Sequence, residues 1–73
     1  MSSEILRLET LITKDNRAAG GKPERCTDPD LAYRLYESHS EIATYQTGSV
    51  KEASLAMAKR WHAAYERLTG KGV

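Results

Sequence analysis

The chain has 73 residues, with 11 lysines and arginines against 10 aspartates and glutamates, for a formal net charge of +1. This length permits one small domain near the lower limit for an unstapled apolar core, and the near-neutral balance argues against a dedicated nucleic-acid binder. No apolar run approaches the roughly 20 residues that cross a bilayer, and the single cysteine excludes an internal disulfide and favours a reducing compartment.

Residues 1–27 are predicted to form an N-terminal arm and loop. Aliphatic side chains at three- and four-residue steps from Ile5 to Ile12 suit a short amphipathic helix, while the alternation that begins at Leu6 also suits a strand. The stretch 15–27, DNRAAGGKPERCT, combines Gly-Gly, one proline and no apolar period, which predicts a loop. We expect the arm either to dock on the rest of the molecule or to stay flexible until a partner orders it. Its acidic start and the absence of a small-residue cleavage site predict no secretory signal.

Two short helices are predicted next, at about residues 29–38 and 40–46. Asp28 precedes Pro29, and a residue before proline is pushed out of helical geometry. Asp28 is therefore expected to cap the first helix, with Pro29 at its first position. The sequence SHSE has the spacing of a capping box and is expected to open the second helix. Gly48 is expected to end it.

The last helix is predicted over residues 50–69. Ser49 and Glu52 form a second capping-box pattern, SVKE, at its start. Apolar residues recur at helical steps and form one face: Val50, Ala53, Met57, Trp61, Ala64, Tyr65 and Leu68. Gly70 is expected to terminate the helix, which leaves residues 71–73 as a tail.

Together these elements predict an all-α fold, a small three-helix, homeodomain-like (helix-turn-helix-like) body over residues 28–70 with the arm attached. A small residue at Ala43, a glycine turn and apolar residues in the following helix are the residue types of a helix-turn-helix, in the right order. Gly48 lies five residues after Ala43, one more than in the tight bacterial motif. The match is therefore to a looser, homeodomain-like arrangement.

No catalytic or metal-binding pattern is recognisable, so we expect no enzyme activity, no metal and no cofactor. Cys26 lies in the predicted loop without a histidine close to it in sequence. With His39 and His62 it matches no zinc-ligand spacing. The segment AAGGK lacks both the spacing of a phosphate-binding loop and a preceding strand.

Charge is unevenly distributed along the chain. Residues 28–48 carry one arginine and four carboxylates, a balance of −3, and residues 49–73 carry five cations and two carboxylates, a balance of +3. We expect partner binding by the arm and by the basic side of the last helix. The candidate residues are Ile5, Leu6, Arg7 and Leu8 on the arm and Lys51, Lys59, Arg60 and Arg67 on the helix. Glu52 and Leu55 suit base readout poorly, whereas small residues flanked by arginines suit an acidic protein surface; the alternative is that Arg60 and Arg67 are simply solvated.

In size and layout, "SEIATYQTGSVKEASLAMAKRWHAAYERL" after a flexible N-terminal third resembles the small host-RNA-polymerase-binding transcription regulators of lytic Xanthomonas phages. The resemblance covers about residues 28–69 and is one of layout and length. It implies a homeodomain-like adaptor that binds the polymerase, inhibits initiation, promotes antitermination and needs no cofactor. No contact residue is carried over, because no family motif aligns with these positions.

The leading hypothesis is therefore a non-enzymatic, protein-binding transcription regulator acting in the cytoplasm of a bacterial host, with RNA polymerase as its partner. The alternative is a DNA-binding helix-turn-helix repressor or excisionase-like factor, which would contact nucleic acid directly. A third possibility is an inhibitor that docks on another protein, such as a host defence enzyme. We expect neither a membrane nor a small-molecule substrate as partner.

Overall fold

The computed structural model describes residues 3–70 and contains three α-helices: α1 at Ser3–Ala18, α2 at Pro29–Ala43 and α3 at Gly48–Thr69. A short 3-10 helix at Pro23–Arg25, called here the 3-10 turn, lies between α1 and α2. No strand occurs within the described residues. The predicted all-α fold is confirmed as a small three-helix bundle, while the homeodomain-like arrangement stays a prediction. The predicted tail, residues 71–73, lies outside the described residues.

The N-terminal arm is a helix of 16 residues that packs against α2. Its inward side carries Leu8 and Asp15, both buried, so helical spacing decides between the two patterns that the sequence allowed. Asp15 bonds to Arg34 of α2, with 3.0 Å between its Oδ1 and Nη2. The predicted loop thus begins later than residue 15. Of the two possibilities for the arm, the structure has the docked one.

α2 is continuous from Pro29 to Ala43, so the predicted division into helices at 29–38 and 40–46 is wrong. Its start is as predicted, since the side chain of Asp28 accepts a hydrogen bond of 2.9 Å from the backbone N–H of Asp30. The physical reason for the missing break is burial. Leu35 and Ile42 both lie in the interior, seven residues apart on one face, and only an unbroken helix keeps them there.

α3 begins two residues earlier than predicted, at Gly48, so Ser49 lies inside the helix instead of capping it. Gly48 has a φ of +64°, a left-handed conformation that residues with a Cβ adopt only at a cost. At the other end the prediction is confirmed: Gly70 has a φ of 73°, and its N–H bonds to the carbonyl of Glu66. Glycines therefore set both ends of the longest helix.

The core forms where α2, α3 and the segment between α1 and α2 meet. Its buried members are Ala19, Cys26, Ala32, Leu35, Trp61 and Ala64. The prediction that Trp61 is a core residue is confirmed, since its side chain is fully buried. Val50 was predicted on the same apolar face but is 58% exposed. The reason is position: residues 48–53 are all exposed, so the first turns of α3 lie outside the packed part of the bundle.

Because one side of α1 is buried, replacing two leucines that lie two residues apart should change the stability of the fold by different amounts. Leu8 is 1% exposed and Leu6 is 51% exposed. We expect Leu8→Ala to lower the free energy of unfolding by about 2–5 kcal/mol, because it removes buried methyl groups and leaves a cavity. The matched control Leu6→Ala should change it by less than about 0.5 kcal/mol. Urea unfolding followed by the fluorescence of Trp61 measures both, and equal effects would contradict the docked α1.

Candidate partner-binding surface

The four arm residues predicted to bind a partner do not share one surface. Leu6 and Arg7 are exposed, Ile5 is half-buried and Leu8 lies in the interior. The prediction is therefore corrected for Leu8, whose side chain packs inside the protein. Helical geometry explains the split, because neighbouring residues of a helix point about 100° apart.

Arg7 already has partners within the chain. Its Nη2 lies 2.9 Å from a carboxylate oxygen of Glu4 and 3.3 Å from one of Glu41 in α2. The hydrogen bond and charge of Glu4 raise the pKa of Arg7. All three side chains are about half exposed, and exposed ion pairs of this kind contribute little net stability. Arg7 thus joins α1 to α2 and presents a partly neutralised charge to solvent.

The four predicted cations of α3 lie on two separate faces of the helix. Lys51 and Lys59 are eight residues apart, with Leu55 midway, and steps of four residues place all three on one ridge. Arg60 and Arg67 lie about 140° and about 120° from Leu55 around the helix axis, and about 100° and about 80° from Lys59. The sequence predicted one basic side for all four cations. In the structure the two lysines and the two arginines differ in position around the helix and in their contacts.

The first face, called here the lysine ridge, consists of Lys51, Leu55 and Lys59. All three residues are exposed, and Leu55 retains 46% of its accessible surface. None of the ion pairs between described residues involves either lysine. The ridge is an apolar side chain with an uncompensated positive charge one helical turn away on each side.

The second face is occupied by the 3-10 turn. Arg60 donates from Nη2 to both carboxylate oxygens of Glu24, at 3.0 and 2.9 Å, and from Nη1 to the sulfur of Met57 at 3.5 Å. Arg67 donates from Nη2 to the backbone carbonyls of Pro23 and Cys26, each at 3.2 Å. The two arginines therefore fasten the 3-10 turn to α3.

A groove of about 190 Å³ lies between the 3-10 turn and α3, and we call it the arginine groove. Its lining residues are Pro23, Glu24, Arg60, Ala63, Ala64 and Arg67. The sequence predicted that small residues flanked by arginines allow close approach of an acidic surface. In the structure the chain's own 3-10 turn makes this approach. The residue that the sequence did not single out is Glu24, since nothing in KPER identifies an ion-pair partner 36 residues away.

Four rings meet where α2 packs on α3. Tyr33 lies 5.6 Å from Tyr36 and 5.0 Å from Tyr65, measured between ring centroids, and Tyr36 lies 4.7 Å from His62. All these pairs are tilted, as packed aromatic side chains prefer. His62 also places its Nδ1 3.4 Å from a carboxylate oxygen of Glu66. The rings pack against one another at the junction of the two helices.

The groups that could support catalysis are dispersed. The Cys26 thiol is buried and donates to the carbonyl oxygen of Asp28 at 3.2 Å. Burial lowers the pKa of His39, which lies in the C-terminal third of α2. Within residues 3–70 no group of three or more histidine, cysteine or carboxylate side chains is placed to hold a metal ion. That the protein is not an enzyme stays a prediction.

Two further findings bear on its class. None of the helices in residues 3–70 combines the length and the apolarity needed to cross a bilayer. Comparison of the chain with protein-family models, with curated proteins and with solved structures finds no match.

The ion pair between Glu24 and Arg60 predicts a pH effect. The hydrogen bond from Arg60 is the main cause that holds the pKa of Glu24 below its ordinary value. Because the folded-state pKa is depressed, the pair stabilises the fold above the carboxyl pKa of the unfolded chain, and this contribution is lost as pH falls through the folded value. Arg60→Gln should return the pKa of Glu24 toward its ordinary range, as measured by carbon NMR titration. Lys59→Gln, which removes the neighbouring cation, should leave it unchanged; a shift equal to that of Arg60→Gln would contradict the pairing.

Proposed function

We propose that the protein is a non-enzymatic, protein-binding transcription regulator that docks on the RNA polymerase of a bacterial host, inhibits initiation and promotes antitermination. The main support for docking on a protein is the lysine ridge, where exposed Leu55 lies between Lys51 and Lys59 on a regular helix. The polymerase, its regulation and the host cytoplasm as the place of action follow from the resemblance in size and layout to phage regulators.

The chemistry of the lysine ridge favours a protein partner. Burying Leu55 against an apolar side chain removes exposed hydrocarbon from water, which stabilises a complex by about 1 kcal/mol for a half-exposed leucine. The two lysines then lie at the edge of the contact, where they complement an acidic surface and accelerate association. Because neither lysine has an ion-pair partner among the described residues, meeting an acidic surface breaks no internal pair.

The same ridge is poorly suited to DNA. Base edges are recognised chiefly by arginine, lysine, asparagine and glutamine, and the centre of the ridge is a leucine. Glu52 is exposed in the same stretch of α3 and would repel phosphates. The net charge of +1 also gives little of the phosphate neutralisation on which DNA affinity depends.

Binding DNA nevertheless remains the alternative, and one observation favours it. Residues 48–53 of α3 are all exposed, and the front half of the second helix is the part that enters the major groove in helix-turn-helix proteins. In this second candidate function the protein is a small repressor or excisionase-like factor, with Lys51 and Lys59 contacting phosphates.

Substitution of Leu55 tests the docking. Leu55→Glu keeps a good helix former, removes the apolar contact and places a carboxylate between two lysines. We expect it to weaken binding to purified RNA polymerase of the host bacterium at least about tenfold, since the apolar contact is lost and an acidic surface is repelled. Leu6→Glu, a matched change of an equally exposed leucine on α1, should have little effect. Biolayer interferometry with immobilised polymerase measures both.

The outcomes of this experiment separate the hypotheses. Equal losses for the two variants would contradict docking through the lysine ridge, and the absence of wild-type binding would contradict the polymerase as partner. A gel-shift titration at two salt concentrations tests the alternative. A DNA binder should lose affinity steeply as salt rises and should prefer some sequences, whereas the docking proposal expects weak, sequence-independent retention at low salt only.

A further inference from the structure

We propose that the arginine groove is a binding site for a carboxylate side chain of an acidic protein segment, and that Glu24 occupies this site internally until such a segment displaces it. The inference concerns a different face of α3 from the lysine ridge. It rests on the proposed function only in that the partner is a protein.

The first observation is that the groove already holds a carboxylate. Both oxygens of Glu24 accept from Nη2 of Arg60, at 3.0 and 2.9 Å. The Glu24 side chain is 64% exposed and that of Arg60 is 49% exposed, so water reaches the pair. Exposed pairs of this kind contribute little net stability. A carboxylate from another protein can therefore take the place of Glu24 at small cost.

The second observation is that the 3-10 turn is also held by contacts that do not involve the Glu24 side chain. Pro23 and Cys26 are both buried, and Arg67 bonds to the backbone carbonyl of each. The N–H of Cys26 also bonds to the carbonyl of Pro23 at 3.2 Å. Because these contacts remain when the Glu24 side chain rotates away, the groove keeps its shape with the site open.

The third observation is an excess of positive charge. Arg67 donates to two neutral carbonyls, so that its charge is not balanced by a carboxylate in the groove. Lys22 adds a second cation, close enough to act electrostatically on Glu24. Among the described residues that line the groove, Glu24 supplies the only carboxylate, against Arg60 and Arg67, and Lys22 lies near it. An acidic segment restores the balance, which selects it over a neutral or basic one.

The floor of the groove supplies the space. Ala63 and Ala64 lie between the two arginines, and their small side chains leave a volume of about 190 Å³. Seven residues of helix separate Arg60 from Arg67, or about 10 Å along the axis. An extended acidic segment spans this distance in about three residues. One of its carboxylates then replaces Glu24 at Arg60, and a second lies beside Arg67.

The test is an NMR titration of the nitrogen-labelled full chain with a capped hexaglutamate peptide at low salt, following the Nε–H signals of Arg60 and Arg67. We expect these two signals to shift selectively. Glu24→Gln, which keeps the side-chain volume and removes the competing charge, should tighten binding about threefold. Glu9→Gln removes the same charge on the outer face of α1 and should change the affinity much less.

Several outcomes would overturn the inference. These are no shift of the arginine signals, weaker binding by Glu24→Gln, and equal gains for the two glutamine variants. Inorganic phosphate or a short oligonucleotide that shifts the same signals at lower concentration would make the groove a general anion site instead. Unchanged Trp61 fluorescence verifies that Glu24→Gln keeps the fold. Absence of peptide binding together with intact polymerase binding would contradict this inference alone, whereas unchanged polymerase binding by Leu55→Glu would contradict only the docking through the lysine ridge.

Discussion

The complete burial of Trp61 is the constraint on which the rest of the structure depends. It is the only tryptophan of the chain, and it packs in one cluster with Ala32 and Leu35 of α2 and with Ala19 and Cys26 from the segment that joins α1 to α2. Ala19, Ala32 and Ala64 belong to this cluster, and their small side chains let the surrounding backbone lie close to the indole ring. Its Nε1 finds no hydrogen-bond partner among the described residues, so the side chain stabilises the fold through its apolar area.

This cluster determines what the arginines of α3 do. Because Cys26 belongs to it, the segment between α1 and α2 has to lie against α3, where Arg67 and Arg60 meet the 3-10 turn. Four cations of α3 were predicted to bind a partner. Two of them, Arg60 and Arg67, instead bond to a carboxylate and to backbone carbonyls of the same chain. Lys51 and Lys59 have no such role within the described residues, and this difference distinguishes side chains that look equivalent in the sequence.

The sequence predicts helices well where one apolar face is continuous, as in α3, and where a cap is local, as at Asp28. It fails where a local signal competes with burial: SHSE has the spacing of a capping box, yet the burial of Ile42 keeps α2 unbroken. For the arm, only packing against α2 decides between helix and strand. The cations of the candidate site can be predicted from the sequence, but their contacts cannot. Packing of the core brings Glu24 and Arg60 together, and no sequence pattern links them.

The two faces of α3 would contribute differently to recognition. The lysine ridge meets a partner without breaking an ion pair between described residues, so any surface that is apolar at its centre and acidic at its edge gains from it. The arginine groove has to release Glu24 first, at the small cost of an exposed ion pair, and it gains from a partner that returns a carboxylate to Arg60. Specificity is a difference between affinities, and a segment without a carboxylate would leave Arg60 unpaired where Glu24 had been. In the proposed function the ridge therefore supplies attraction, and the groove supplies discrimination.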